Sequence, residues 1–523
     1  MDSLAQVVNK RNLTAVVTTP ELLATQQQAA QKQLGTNRLD DPRLLRKLAY
    51  VNGKWVHGSK DKVVINPSTE TAIDYCTQLN AEQINNAIDS AEQAFPSWRK
   101  MLADERAEIL MRWHDLLLEN KEDLARLMVL EQGKPLFDAR GEIEYGASFI
   151  RWFAEESRRA YGETIPSHIP NAQLASIREP IGVAALITPW NFPNAMITRK
   201  AAAALAIGCT VIIKPANETP FSALALAELA ERAGFPAGVF NVVTGDAVMV
   251  SEAICLSDKV KALSFTGSTR VGKLLLEQSA STVKKCSMEL GGNAPFIVLP
   301  DMDVDTAAKA AVDAKFQTSG QDCLAANRIF VPRDKYVPFL EAFQHEMRSL
   351  KVGDGFSPDT VLGPLISKQA VAKAQHLVND AIEKGARLLV GDQSQAPGSH
   401  FFIPTLLADV TPEMDVYQQE NFCPVAGVLA YDNIEKVITM ANDTEYGLAA
   451  YVYGHDIRNI WPLMRGLEFG MVSVNSVKMT GHPIPFGGVK QSGLGREGSK
   501  HGFDEYSEIK YYCLGALPTA SGS

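Results

Sequence analysis

Cys323 lies in Ser319-Gly320-Gln321-Asp322-Cys323-Leu324, after a helical pattern over 307–316 and before a strand-like run over 326–331. A loop between two such elements can expose a nucleophile and still hold it in place. A buried structural thiol is the commoner fate of a cysteine, yet glycine, glutamine and aspartate are not core neighbours. Thiols attack carbonyls as thiolates, and at an ordinary pKa of about 8.5 only a few per cent are ionised at neutral pH. Such a thiol needs a base. Glu289, in Met288-Glu289-Leu290-Gly291-Gly292-Asn293, is an isolated carboxylate entering an apolar, glycine-rich turn. Burial there would raise its pKa toward that of a useful general base; a solvated glutamate at a strand end is the alternative.

Thr188-Pro189-Trp190-Asn191-Phe192-Pro193 follows a strand-like run and leads into a helix predicted to begin near Pro193. An amide fixed between two prolines can donate to a developing oxyanion, and it can equally cap the next helix. Phe265-Thr266-Gly267-Ser268-Thr269-Arg270-Val271-Gly272 joins a strand to a helix, so its free backbone N–H groups and the helix dipole suit a pyrophosphate. Its spacing is G-x-x-x-x-G rather than G-x-G-x-x-G, and a tight strand-to-helix turn explains it as well. Lys214-Pro215 ends another strand of the same region, either within reach of a cofactor ribose or on the surface.

These residues need a scaffold. Between Gly182 and Val331 the strand candidates Val183–Ile187, 211–213, 239–243 and 262–265 are each followed by a helical pattern. Gly208 and Gly234 sit where helices end, and Pro220 where a first turn tolerates it. Such alternation predicts an α/β fold with a parallel, doubly wound sheet. A second alternating region over 293–498, with runs such as 326–331 and Met471–Val474, predicts a second α/β domain. Upstream, Asn80 and Gln83 have capping-box spacing, with Ile84, Ala87, Ile88 and Ala91 on one helical face. Ile109, Leu110, Trp113 and Leu117 form the stripe of the next helix. The stretches 163–178 and Ser507–Leu514 have no place in a doubly wound sheet and are assigned to strands that project and pair with another subunit.

The chain of 523 residues, 46% of them hydrophobic, can build more than one core. Its 51 basic and 60 acidic side chains give a net charge of −9 with no long run of either sign, so neither nucleic acid nor membrane is an expected partner. Apolar stretches fall well short of the roughly 20 residues of a bilayer span. Seven cysteines form no C-x-x-C pair and no metal-ligand spacing, which fits free thiols in a reducing cytoplasm. Residues 1–40, with a Gln-rich stretch over 25–33, read as an N-terminal extension.

Taken in order, the Pro-Trp-Asn-Phe-Pro run, Lys214-Pro215, the 265–272 turn, 288–292, 320–323, Glu420-Asn421-Phe422-Cys423-Pro424 and Pro485-Phe486-Gly487-Gly488 resemble the aldehyde dehydrogenase superfamily over roughly 42–515. The resemblance implies an NAD(P)-binding domain (41–160 and 180–290), a catalytic domain (291–504) and an oligomerisation arm (161–179 and 505–515) of a homodimer or homotetramer. It makes Cys323 the nucleophile and Glu289 the base for the thiol or the hydrolytic water. Asn191, with the backbone N–H of Cys323, would hold the oxyanion, and Lys200 with Glu497 resembles a proton-relay pair. Thr188, Pro189, Trp190, Lys214, Asn217, Gly267, Ser268, Leu290, Glu420 and Phe422 would contact NAD or NADP, Glu420 through a ribose. A glutamate at Glu289 favours water over coenzyme A as the acyl acceptor.

Within the superfamily the likeness is to succinate-semialdehyde dehydrogenases, carried by Met196-Ile197-Thr198-Arg199-Lys200, by 219–223 and by the tail over 495–512. Arg199 resembles the arginine that binds the substrate carboxylate there, with Phe192 and Thr480 beside the substrate. The subfamily's second arginine is Gln317 here, which opens the way to a longer ω-acid or a bulkier, partly aromatic aldehyde. Ala325 replaces a second cysteine, so no disulfide switch exists within this loop. Asn217 replaces a glutamate common in NAD-preferring relatives, and a neutral side chain does not repel a 2′-phosphate. Two readings of other classes are a thiol esterase without hydride transfer and a non-catalytic structural homologue.

Overall fold

The computed structural model describes residues 38–515. The predicted extension over 1–40, its Gln-rich stretch included, lies outside the described residues except for 38–40. In chain order the first strands are β1 (Ala49–Val51), β2 (Lys54–Val56), β3 (Lys60–Ile65), β4 (Ala72–Gln78), β5 (Glu163–Ile165), β6 (Gln173–Pro180), β7 (Val183–Ile187), β8 (Thr210–Lys214), β9 (Phe240–Val242) and β10 (Val260–Thr266). They continue as β11 (Lys285–Glu289), β12 (Ala294–Val298), β13 (Ala326–Pro332), β14 (Arg387–Val390), β15 (Thr405–Ala408), β16 (Val425–Tyr431), β17 (Ala449–Tyr453), β18 (Met471–Val474), β19 (Gly493–Leu494) and β20 (Ser507–Leu514). The helices that matter for the site are α1 (Ala81–Trp98), α2 (Ala103–Glu119), α3 (Lys121–Gln132), α4 (Leu136–Glu156), α5 (Ala195–Ile207), α6 (Pro220–Ala233), α7 (Ala247–Leu256), α8 (Thr269–Ser279) and α9 (Val304–Phe316).

Two large sheets carry the molecule, ordered β19-β11-β10-β7-β8-β9-β1-β2 and β14-β15-β16-β13-β12-β17-β18. The strands β7 to β11 run parallel, with β19 and the β1–β2 hairpin antiparallel at the edges. In the second sheet only the edge strand β14 is antiparallel. Both faces of each sheet are buried, as two-residue alternation requires. Along β7, Ala184 and Leu186 enter one core while Val183 and Ala185 enter another. Along β12, Phe296 and Val298 face one side and Ile297 the other. Each buried Leu, Ile or Phe contributes about 1.5–3 kcal/mol, and these cores fix the strand ends from which the site projects.

The local signals act as the residue types dictate. Asn80 Oδ1 accepts from Gln83 N–H at 2.9 Å while Gln83 Oε1 accepts from Asn80 N–H at 3.0 Å, closing the capping box of α1. Gly208 and Gly234 end α5 and α6 with φ of 110° and 90°, and Pro220 opens α6. Helix α5 begins at Ala195, later than the expected start near Pro193, because its first amides are received by a distant carboxylate: Glu142 Oε1 accepts from Asn194 N–H at 2.9 Å and Ala195 N–H at 3.1 Å.

The stretch over 163–178 contains β5 and most of β6, separated by a turn. Pro166 and Pro170 offer no N–H to a ladder, and the chain turns between β5 and β6. Within the chain β6 and β20 pair with each other, from Pro180↔Ser507 to Gln173↔Leu514, and β20 forms the edge of that sheet. The three-stranded sheet β20-β6-β5 leaves Ile509, Tyr511 and Leu514 exposed at 70%, 54% and 61%. Among the described residues no helix is long and apolar enough to cross a membrane, and no group of His, Cys, Asp or Glu is arranged to hold a metal ion.

Candidate active site

The segment before Cys323 is bent by side-chain and backbone contacts into a conformation L-residues seldom adopt. Thr318, Ser319 and Gly320 have φ of 50°, 57° and 70° in succession. Gly320 is obligatory, since a Cβ there would lie 2.4 Å from the carbonyl oxygen of Cys423. Ser319 Oγ donates to the Gly363 carbonyl at 2.9 Å, and Gln321 Oε1 accepts from Ile366 N–H at 3.0 Å. The Asn191 amide donates to the Gln321 carbonyl at 3.0 Å, which ties it to the segment bearing Cys323 and leaves its second N–H free. Close approach also governs the far side, where a Cβ on Gly292 would stand 2.2 Å from the Cys323 carbonyl oxygen.

Cys323 itself is half-buried. Burial first, then the carboxylates of Asp322 and Glu420, push its thiol well above the ordinary range, with Arg199 pulling the other way. Glu289 ends β11, flanked in register by Thr266 and Gly493. Its side chain is buried, and neither carboxylate oxygen has a hydrogen-bond partner. Burial and the neighbouring Glu497 push its pKa well up, against Arg199 and Lys200. Gly487 passes so close that a Cβ there would meet Glu289 Oε1 at 2.9 Å. A buried carboxylate kept without partners can still accept a proton, which is the property of a base in waiting.

Behind Glu289 lies a buried ionic cluster. Lys200 Nζ contacts Glu497 Oε1 and donates to Ser264 Oγ at 2.9 Å, while Arg199 Nε faces Glu497 Oε2 at 2.6 Å. Burial would raise the Glu497 pKa, but the two cations hold it below the usual carboxylate range. Arg199, expected to meet a substrate carboxylate, is therefore already paired, with its guanidinium 4.1 Å over the Phe486 ring. Its Nη2 donates to Met196 Sδ at 3.2 Å, and the Tyr145 hydroxyl interacts with both the Arg199 guanidinium and Thr480. Thr480 and Gln317 are exposed and Phe192 is half-buried, 4.1 Å from Lys134 Nζ.

Of the residues expected to hold a dinucleotide, Thr188, Lys214, Gly267 and Leu290 stand at the C-terminal ends of the parallel strands β7, β8, β10 and β11. Lys214 Nζ donates to the Pro215 carbonyl at 2.7 Å and to Asn217 Oδ1 at 3.1 Å, and burial lowers its pKa to about 8. Thr188 N–H donates to the Lys214 carbonyl at 3.1 Å, leaving its buried hydroxyl without a partner. Gly267 N–H donates to the Glu289 carbonyl at 3.0 Å, and Ser268 caps α8. Leu290 packs on α8 so tightly that a Cβ on Gly272 would lie 2.4 Å from its methyl carbon. Glu420 Oε1 accepts from Gly292 N–H at 2.9 Å, with burial raising its pKa to about 7. Phe422, at φ 52°, sets its ring edge-on to Trp190 at 5.6 Å, beyond Pro189. An orphaned hydroxyl, a helix start and a ribose-sized acceptor fit a nicotinamide dinucleotide.

Residues 55–512 match the family described as the aldehyde dehydrogenase family. The chain belongs to the aldehyde dehydrogenase family. It is 65% identical over 490 residues to a non-phosphorylating aspartate-semialdehyde dehydrogenase of Halomonas elongata, covering 93% of this chain and 99% of that one. To an NADP(+) succinate-semialdehyde dehydrogenase of Escherichia coli it is 50% identical over 480 residues, 91% of this chain and 100% of the other. A betaine aldehyde dehydrogenase of Staphylococcus aureus in complex with NAD+ has the same fold, at TM-score 0.88 and 32% identity over 91% of this chain and 96% of that one. This aldehyde dehydrogenase is accordingly an NAD(P)-dependent oxidoreductase with two α/β domains.

The aldehyde dehydrogenase site also uses residues that sequence reading passed over. Lys134 is buried, donating to the Asn191 carbonyl at 2.8 Å and to Glu142 at 2.5 Å. Glu142 in turn caps α5, so one ion pair fixes both the Asn191 loop and the helix bearing Arg199 and Lys200. Tyr145 and Asp322 were likewise unassigned. The one signal available was Glu131-Gln132-Gly133-Lys134-Pro135, a lysine between a glycine and a proline at a helix end.

Proposed function

We propose that the protein oxidises a short aldehyde bearing a distal carboxylate to the corresponding acid, through a thioester on Cys323 that water hydrolyses. The observation that supports this most is the buried, unpartnered Glu289 carboxylate beside a half-buried thiol that needs a base. Glu289 takes the Cys323 proton, and the thiolate adds to the carbonyl carbon. The oxygen becomes an oxyanion received by the free N–H of Asn191 and the backbone N–H of Cys323. The nicotinamide cofactor, NAD or NADP, supplies the hydride acceptor when bound, held by Thr188, Lys214, Gly267, Ser268, Glu420 and Phe422 with Pro189, Trp190, Asn217 and Leu290 alongside. As the substrate C–H hydride departs, the oxyanion re-forms C=O and leaves a thioester. Glu289 then accepts a proton from water, hydroxide adds, and the C–S bond breaks to release acid and thiolate. Lys200 and Glu497 carry the proton from Glu289 inward.

Arg199, through the N–H groups not facing Glu497, receives the carboxylate, with Phe192, Gln317 and Thr480 lining the approach. Segments 41–160 and 180–290 bind the cofactor, 291–504 supply the catalytic loop, and 161–179 with 505–515 join subunits into a homodimer or homotetramer. Seven free cysteines suit a reducing cytoplasm. A panel of succinic, glutaric, aliphatic and aryl aldehydes, tested with both cofactors, checks the reading by absorbance of the reduced nicotinamide. Carboxylated aldehydes should lead, and Arg199→Ala should raise KM for them roughly tenfold more than for neutral ones. Equal KM changes would remove the arginine's assignment.

A further inference from the structure

Ser264 stands where the sheet calls for an apolar residue. Parallel strands buried on both faces are continuous apolar runs, and β10 keeps to that at Ala262, Leu263 and Phe265. A hydroxyl in that setting is costly unless it is hydrogen-bonded. Ser264 Oγ accepts from Lys200 Nζ at 2.9 Å and donates to Glu497 Oε1 at 3.4 Å, so it touches both members of the buried ion pair behind Glu289. The Tyr506 hydroxyl, buried and without a hydrogen-bond partner, has Ser264 as its polar neighbour. Ser287, level with Ser264 on β11, is also buried and has no partner.

These groups step down the sheet. Glu289 lies level with Thr266 at the C-terminal end of β10, the edge at which Thr188 and Lys214 also stand. Ser264 is two residues back, about 6.6 Å along the strand. The Tyr506 carbonyl accepts from Ile181 N–H at 3.0 Å and from the Cys209 thiol at 3.2 Å, just before β7 and β8 begin, which puts Tyr506 at the opposite edge.

We infer that Ser264 and Tyr506 carry the hydrolytic proton onward from the Lys200–Glu497 pair and release it at the edge of the sheet opposite the cofactor. Glu497 takes the proton from Glu289 and passes one to Lys200. Lys200 gives one to Ser264 Oγ, which gives its own to Tyr506, and the phenolic proton leaves to solvent beside the half-buried Glu505. Each group ends with the protons it began with, and none is oxidised or reduced. The inference rests on the proposed hydrolysis of a Cys323 thioester by Glu289.

The lifetime of the acyl-enzyme is the measurement. The full-length enzyme is mixed with NADP and succinate semialdehyde, or glutarate semialdehyde, in H2O and in D2O, and the acyl mass on the quenched protein is followed by mass spectrometry. Ser264→Ala should lengthen that lifetime roughly 10- to 100-fold and enlarge its solvent isotope effect, while the acyl group forms at the wild-type rate. Ser264→Thr, which keeps the hydroxyl, should restore most of the loss. Tyr506→Phe keeps the ring, should act in the same direction as the alanine variant, and carries the test if that variant does not fold. Ser287→Ala removes a hydroxyl from the same sheet face and should leave the lifetime unchanged. Decay at the wild-type rate in both Ser264→Ala and Tyr506→Phe, or equal slowing in the alanine and threonine variants, or equal slowing in Ser287→Ala, would overturn the path while leaving the thioester standing. Absence of acyl mass in every protein with both aldehydes would instead refute the reading beneath it.

Discussion

Glu289 and Cys323 each hold a proton more tightly than the free side chain does, Glu289 because burial and Glu497 disfavour its charge, Cys323 because burial and Asp322 do. With both pKa values raised, the pair with a proton to spare dominates at low pH and the reactive form grows as pH rises. The expected kcat/KM profile therefore climbs through neutrality into the alkaline range, with apparent values belonging to the pair. Glu289→Gln should flatten that limb and reduce kcat by roughly 10²-fold or more, measured as a pH–rate profile on one substrate. Cys323→Ala should abolish turnover with a melting temperature close to that of the wild type, since the half-buried thiol fills no deep core position. Retained turnover would dismiss the nucleophile.

At the scale of elements, the Lys134–Glu142 pair joins α3's end, α4 and the start of α5 to the Asn191 loop. Lys134→Met leaves the Glu142 carboxylate buried without its cation, at a cost of about 3–5 kcal/mol. Chemical denaturation should show that loss, with kcat falling as the Asn191 amide loosens. Adding Glu142→Gln, which still accepts from Asn194 and Ala195, should restore much of the stability. Cys323 and Asn191 could be singled out in the sequence because each sits in a loop between a strand and a helix, among glycines or prolines, and Glu289 because it ends a strand at a glycine-rich turn. Helix α1 and the parallel strands were legible from capping and alternation. Lys134, Glu142 and Tyr145 were not, because a lysine, glutamate or tyrosine on a helix usually faces solvent and only tertiary packing turns these inward. The pairing of β6 with β20 and the break between β5 and β6 were not legible, because alternation reports neither a strand's partner nor the turn that two prolines impose.

Across the whole molecule, β20 presents exposed apolar side chains on a strand whose outer edge is unpaired, a surface that pairs or aggregates unless covered. Ile509→Glu with Tyr511→Glu should lower the mass found by light scattering after size exclusion while leaving secondary structure intact; an unchanged mass would place the subunit contact elsewhere. The strand β19 has a different bearing on the molecule. It carries residues from near the far end of the chain onto the edge of the first sheet, pairing Gly493 with Glu289 and bringing Gly487 and Glu497 against that carboxylate. A ribosome therefore releases Cys323 well before it releases the backbone that encloses Glu289. Until residues 487–497 emerge, the nascent polypeptide carries an unfinished pocket, its carboxylate still open to water.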